Sequence, residues 1–172
     1  VPGTDISLES AGSPIEAIQL LMAGRVDAVL STEPAVSAAI LRGAAAGKTV
    51  QRVIDVQQAW AQATGGSAVL PQAGMALTVP FMDANPGIAD ALQEIVEKAT
   101  ESVNADPARA AADATEALEM PAPILAASLA ASNLVARRAR AARPDIEAML
   151  STLSQADTGI VGGKLPDDGF YL

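Results

Sequence analysis

Apolar positions along the first third of the chain repeat in two alternating rhythms. Asp5-Ile6-Ser7-Leu8 alternates polar and apolar, the spacing of a short strand. Ser13-Pro14-Ile15-Glu16 then carries the start of a helix: a capping serine, a proline at the first helical position, and a glutamate three residues after the cap. Ile15, Ile18, Leu21 and Met22 fall on one face of that helix, and Gly24 supplies the residue that ends it. Val26–Leu30 reads as a second, mostly buried strand. Ser31-Thr32-Glu33-Pro34 opens a second helix with Val36, Ala39 and Ile40 inward, and Gly47 stops it. The β-branched stretch Thr49–Val56 reads as a third strand. This order predicts a parallel or mixed sheet covered by helices.

Beyond it, Gln57–Thr64 is a short helix or loop carrying Trp60 and broken by Gly65-Gly66. Ala68–Val79 is an apolar extended segment bent at Pro71-Gln72-Ala73-Gly74. From Asn85 onward the pattern is helical. Ile88, Leu92, Ile95, Val96, Ala99 and Val103 repeat at helical spacing, with Glu94 and Lys98 as an i,i+4 pair. Asp106-Pro107 starts the next helix, and Met120-Pro121-Ala122-Pro123 ends it. A third is expected over Ile124–Ala142, and Pro144-Asp145 opens a fourth with Ile146, Met149, Leu150 and Leu153 on one face. The closing Phe170-Tyr171-Leu172 is expected to dock on the body.

Composition narrows the picture. Half of the 172 residues are hydrophobic but only 2% are aromatic, so the core is built of Ala, Leu, Ile and Val. The net charge of −9 argues against a broad basic face for nucleic acid. The one basic cluster, Arg137, Arg138, Arg140 and Arg143, is placed near the end of the expected third helix, where cations suit the helix dipole. The chain has no histidine and no cysteine, which excludes a histidine-dependent triad and the usual zinc sites. The opening Val1-Pro2-Gly3-Thr4 has neither the basic region nor the apolar core of a signal peptide.

The segment Ala17–Pro34, a helix followed by Gly-x-Val-Asp-Ala, a short strand and Glu-Pro, resembles the solute-binding proteins of nitrate/sulfonate/taurine-type ABC transporters. Leu70-Pro71-Gln72-Ala73-Gly74, Ala84-Asn85-Pro86, Asn104-Ala105-Asp106-Pro107 and Gly162–Tyr171 resemble further family segments, in the family's order. The resemblance implies an α/β fold: a partial type II periplasmic-binding-protein architecture, with a small sheet flanked by helices and an all-helical C-terminal segment. Residues 1–68 are then what remains of lobe two, and residues 69–172 are the crossover strand and the helices returning to lobe one. The resemblance also implies a C-terminal part only, with residues preceding Val1 in the natural protein and half of the ligand site outside this chain. The implied protein is the extracytoplasmic binding component of an importer, periplasmic or at the cell surface. It meets a small-molecule solute and a transporter permease, needs no cofactor, and touches membrane only through the transporter or an upstream lipid anchor.

Five residues are candidates for the ligand site. Ser13 caps a helix whose free amides can seat an anion, although a capping box needs it for stability alone. Ser31, Thr32 and Glu33 sit at the carboxyl end of an expected strand, where open α/β sheets bind ligands. Thr32 is equally suited to cap, and Glu33 to complement the dipole of, the helix that follows. A cleft-facing Glu33 suits an amine or hydroxyl donor. Gln72 lies at the expected crossover, where its amide serves a ligand or the hinge backbone. Trp60 is an aromatic platform or a half-buried core residue. Enzymes of the same fold in thiamine-precursor or menaquinone biosynthesis, a ligand-sensing domain of a regulator, and a helical interaction module are the competing readings. The first needs a catalytic His or Cys that this chain does not carry.

Overall fold

The structure, a computed structural model, describes residues 3–172; Val1 and Pro2, the first half of the opening segment discussed above, lie outside the described residues. Among the described residues the chain forms eight α-helices: α1 Pro14–Met22, α2 Ala35–Ala45, α3 Val56–Thr64, α4 Val79–Ala84, α5 Ile88–Ala105, α6 Pro107–Ala114, α7 Ala122–Ala131 and α8 Ala139–Ala156. Two 3-10 turns, Thr158–Val161 and Asp168–Phe170, close the chain.

The expected sheet does not form, and the α/β architecture is corrected to an all-helical one. Gly3–Asp5 form a turn, with Gly3 N–H donating to Ile6 O at 2.7 Å, Ile6 makes an isolated bridge, and Ser7 and Leu8 have no regular structure. Val26–Leu30, Thr49–Ile54 and Ala68–Thr78 run without regular structure. A strand is defined by hydrogen bonds to another strand, and alternation chooses a face without supplying that partner. None of these segments finds a ladder. Their apolar side chains consequently stay in water: Leu8 is 74%, Leu30 81% and Val53 72% exposed.

Helix ends follow local chemistry closely. Ser13 Oγ accepts from Glu16 N–H at 3.1 Å, and Glu16 reaches back to Gly12 N–H at 2.6 Å. Gly24 and Gly47 both take the left-handed conformation, φ +70. Arg25 N–H then bonds to Leu20 O and Lys48 N–H to Gly43 O, closing two Schellman motifs. Asp55 caps α3 through Gln57 N–H and Gln58 N–H, and Asp106 caps α6 through Arg109 N–H.

The expected helix over Ile124–Ala142 is interrupted. Ser132 Oγ folds back on Ser128 O at 2.7 Å, and Asn133 takes φ 48, so α7 ends as helices with asparagine at the left-handed position do. The chain restarts as α8 at Ala139, five residues before the expected Pro144 start, and runs through Pro144. The arginine cluster therefore sits at a helix N-terminus, where cations oppose the dipole. Carboxylates offset this: Arg137 pairs with Asp145 at 2.8 Å, Arg138 with Asp90 at 2.6 Å, and Arg143 with Glu147 and Asp168 at 2.8 and 2.6 Å.

The chain divides into two compact units, residues 1–51 with 101–134, and residues 52–100 with 135–172. In the first, α7 packs against α2 and α6, and α1 against α2. Its core is small-residue: Ser37, Ala38, Ala39, Ala111, Ile124, Leu125 and Ser128 are buried. Side chains this short let helix axes approach closely, as the lack of aromatics requires. In the second, Tyr171 is the one large side chain fully buried, 1% exposed, whereas its neighbours Phe170 and Leu172 stay largely in water.

Candidate functional site

Four of the five expected ligand residues lie in the first unit, and their chemistry is mostly spent locally. Ser13 is engaged as the α1 cap. Pro34, at the N-cap of α2, has no side-chain oxygen to offer, and Glu33 takes over: its Oε2 accepts from Ser37 N–H at 3.1 Å. The Thr32 carbonyl accepts from Val36 N–H at 3.2 Å. Ser31 differs from these, because its Oγ is buried without a hydrogen-bond partner. A buried hydroxyl left unpaired costs about 1–3 kcal/mol, so it stands out as a group with capacity to spare. Gln72, in the second unit, is exposed on the irregular stretch between α3 and α4.

Sequence reasoning missed a concave site within the second unit. Trp60 and Thr64 are four apart on α3 and share a face; Asp145, Ala148 and Thr152 are three and four apart on α8 and share another. Gly65, at φ 67, ends α3 and turns the chain so that Gly66, Ser67 and Val69 complete the wall. The concavity is open to solvent on one side and has a volume of about 170 Å³. The cavity's face of α8 was legible only as the polar side left over once Ile146, Met149, Leu150 and Leu153 were assigned inward.

The hydrogen bonds around this cavity give it a definite polarity. Thr64 Oγ1 donates to Trp60 O at 2.8 Å, and Thr152 Oγ1 donates to Ala148 O at 2.9 Å. Both hydroxyl protons are thus used inside their own helices, and what the hydroxyls present outward is lone pairs. Ser67 Oγ accepts from Val69 N–H at 3.0 Å and keeps its proton. Asp145 is mostly buried, its side chain 16% exposed, and bonds to Arg137 through Oδ2. No lysine or arginine lines the cavity.

A second cluster in the same unit is structural. The Arg143 guanidinium lies 4.6 Å from the Tyr171 ring centroid and bridges Glu147 and Asp168. Hydrogen bonds that Arg143 donates to Asp168 and then to Glu147 hold its pKa above the ordinary value. Burial pushes the Tyr171 phenol up, with the Glu147 charge adding to the effect. The Tyr171 hydroxyl is itself buried, with the Glu147 carboxylate nearby but outside ordinary hydrogen-bond geometry.

Among the described residues no group of three Asp or Glu side chains is placed to hold a metal ion, and no helix is long and apolar enough to cross a membrane. Compared with protein-family models, with curated proteins and with solved structures, the chain matches none.

Proposed function

We propose that this chain is a binding module for a small solute, and specifically the extracytoplasmic substrate-binding component of a bacterial ABC importer that hands its solute to a permease. The observation that carries the binding half of this reading is the cavity walled by Trp60, Thr64, Asp145 and Thr152. An aromatic wall with a few placed polar groups is the usual make-up of a small-molecule site. Its volume of about 170 Å³ compares with the ~150 Å³ that accommodates benzene, so the solute is small. The importer half rests on the order of the motifs over Ala17–Pro34, Leu70–Gly74, Ala84–Pro86, Asn104–Pro107 and Gly162–Tyr171. A chain with no histidine and no cysteine favours binding over catalysis. Within the first unit alone, the unpaired Ser31 hydroxyl, beside Thr32 and Glu33, is a further candidate for solute contact.

The strand-patterned segments leave Leu8, Leu30, Val53, Ile54 and Met75 exposed, apolar side chains that suit a partner surface.

Thermal melts of the chain with sulfonates, nitrate, carboxylates, pyrimidines and amines test the reading. A solute at one hundred times its Kd stabilises by about 2.7 kcal/mol, which moves Tm by about 5–10 °C for a chain of this size. A saturable rise with one chemical class is the expected result. Flat melts with every class would remove the solute-binding reading.

A further inference from the structure

We infer that the Trp60–Asp145 cavity is a site for a small ammonium ion, with Asp145 as its counter-charge and Trp60 as its aromatic wall. The inference rests on the solute-binding reading above and names the solute class and the site. Four features of the lining lead to it. Acceptors outweigh donors on the polar lining: the Thr64 and Thr152 hydroxyl protons are committed to Trp60 O and Ala148 O and the Asp145 carboxylate only accepts, while the donors are the Ser67 hydroxyl and the Trp60 indole N–H. A ligand rich in donors or in positive charge matches such a surface, and one rich in lone pairs does not. The formal charge in the lining is the Asp145 carboxylate, and no lining cation is available to an anion. Indole is the best aromatic partner for a cation, and Trp60 is the chain's sole tryptophan.

The Arg137–Asp145 pair is the competing interaction. Arg137 lies outside the lining, holds Asp145 through Oδ2 at 2.8 Å, and spends a second nitrogen on Ala141 O at 2.7 Å. Oδ1 of Asp145 carries no hydrogen bond among the described residues. A bound ammonium ion therefore adds to the pair at Oδ1 and need not displace Arg137. The volume suits a ligand of about five to seven heavy atoms, the size of tetramethylammonium or choline.

Trp60 emission reads the site directly, since no other tryptophan contributes. The chain is titrated with tetramethylammonium, choline, the uncharged carbon isostere of choline, and methanesulfonate, at fixed ionic strength. The expected result is a saturable change with the two cations and none with the other two. Asp145→Asn is expected to weaken cation binding about tenfold or more, as loss of a charge-assisted contact does. Ala148→Phe fills the cavity from an exposed helix position and abolishes binding without altering charge, which covers the case in which Asp145→Asn disturbs folding. Arg137→Gln removes the competing cation and binds at least as tightly as the parent. No saturable response to either ammonium ion, or equal affinity in the parent and Ala148→Phe, would overturn the inference. If the ammonium ions leave Trp60 emission unchanged while methanesulfonate raises Tm, this site falls and the solute-binding reading stands. If no solute changes either readout, both fall.

Discussion

Replacing Tyr171 in two ways separates what its ring contributes from what its hydroxyl costs. The ring is 1% exposed, sits 5.1 Å from Phe170 edge to face, and carries the Arg143 guanidinium 4.6 Å from its centroid. Truncating a buried aromatic to alanine costs about 3–5 kcal/mol, and the cation–π contact with the partly exposed Arg143 is lost with it. Tyr171→Ala is therefore expected to destabilise the second unit by about 4 kcal/mol. Tyr171→Phe keeps the ring and removes a buried hydroxyl that has the Glu147 carboxylate nearby but makes no hydrogen bond of ordinary geometry. An unpaired buried polar group is a cost of about 1–3 kcal/mol, so this variant is expected to be as stable as the parent or about 1 kcal/mol more stable. Urea unfolding followed by Trp60 emission measures both, because Trp60 belongs to the same unit. The comparison is of midpoints at unchanged slope. A loss above about 1 kcal/mol in Tyr171→Phe would show that the hydroxyl has a partner in the folded state. A loss below about 1 kcal/mol in Tyr171→Ala would refute the packed corner.

The same residue sets an alkaline limit. Its folded-state pKa is raised above the ordinary 10.0, by burial first and the Glu147 charge second. Above pH 10 the folded state thus holds a proton that the unfolded state releases, and stability falls as pH rises through the folded pKa. Stability below pH 10 is untouched by this group. Tyr171 is the sole tyrosine, so phenolate absorbance reports its titration alone, and Tyr171→Phe is expected to remove this part of the alkaline loss. Gly43→Ala offers a contrast with helix propensity, which favours alanine by about 1 kcal/mol. A Cβ there would meet Val50 Cγ2 at 2.9 Å and Lys48 O at 3.3 Å, and valine is stiff at χ1. The variant is expected to lose about 1–2 kcal/mol net, and a raised Tm would contradict the packing of Val50 on α2. Ser13→Ala is expected to cost about 1 kcal/mol through the lost α1 cap, read as a lowered urea midpoint. Ser31→Ala removes an unpartnered hydroxyl and is expected to leave the ligand-free melt unchanged or slightly raised. A weaker solute affinity in that variant is the signature expected if the 31–33 turn contacts solute.

Helix ends were legible in the sequence wherever the signal lay within four residues of the group it satisfies. Ser13 with Glu16, Asp106 before Pro107, and the stops at Gly24, Gly47 and Gly65 were all readable on these terms, because a cap or a left-handed glycine acts on its own turn. The aliphatic, small-residue character of the core followed from composition for a similar reason. Asn133 carried the same kind of local signal as the glycines, and overlooking it merged the end of α7 with the start of α8. The failures of a different kind were those that need a distant partner. Ile6, Leu8, Leu30 and Val53 have strand rhythm, but a strand exists only when another segment returns its hydrogen bonds, and no rhythm within five residues encodes that return. The Trp60–Asp145 cavity was illegible likewise. Trp60 with Thr64, and Asp145 with Ala148 and Thr152, each read as one helix face, and tertiary structure alone set the two faces around a common space.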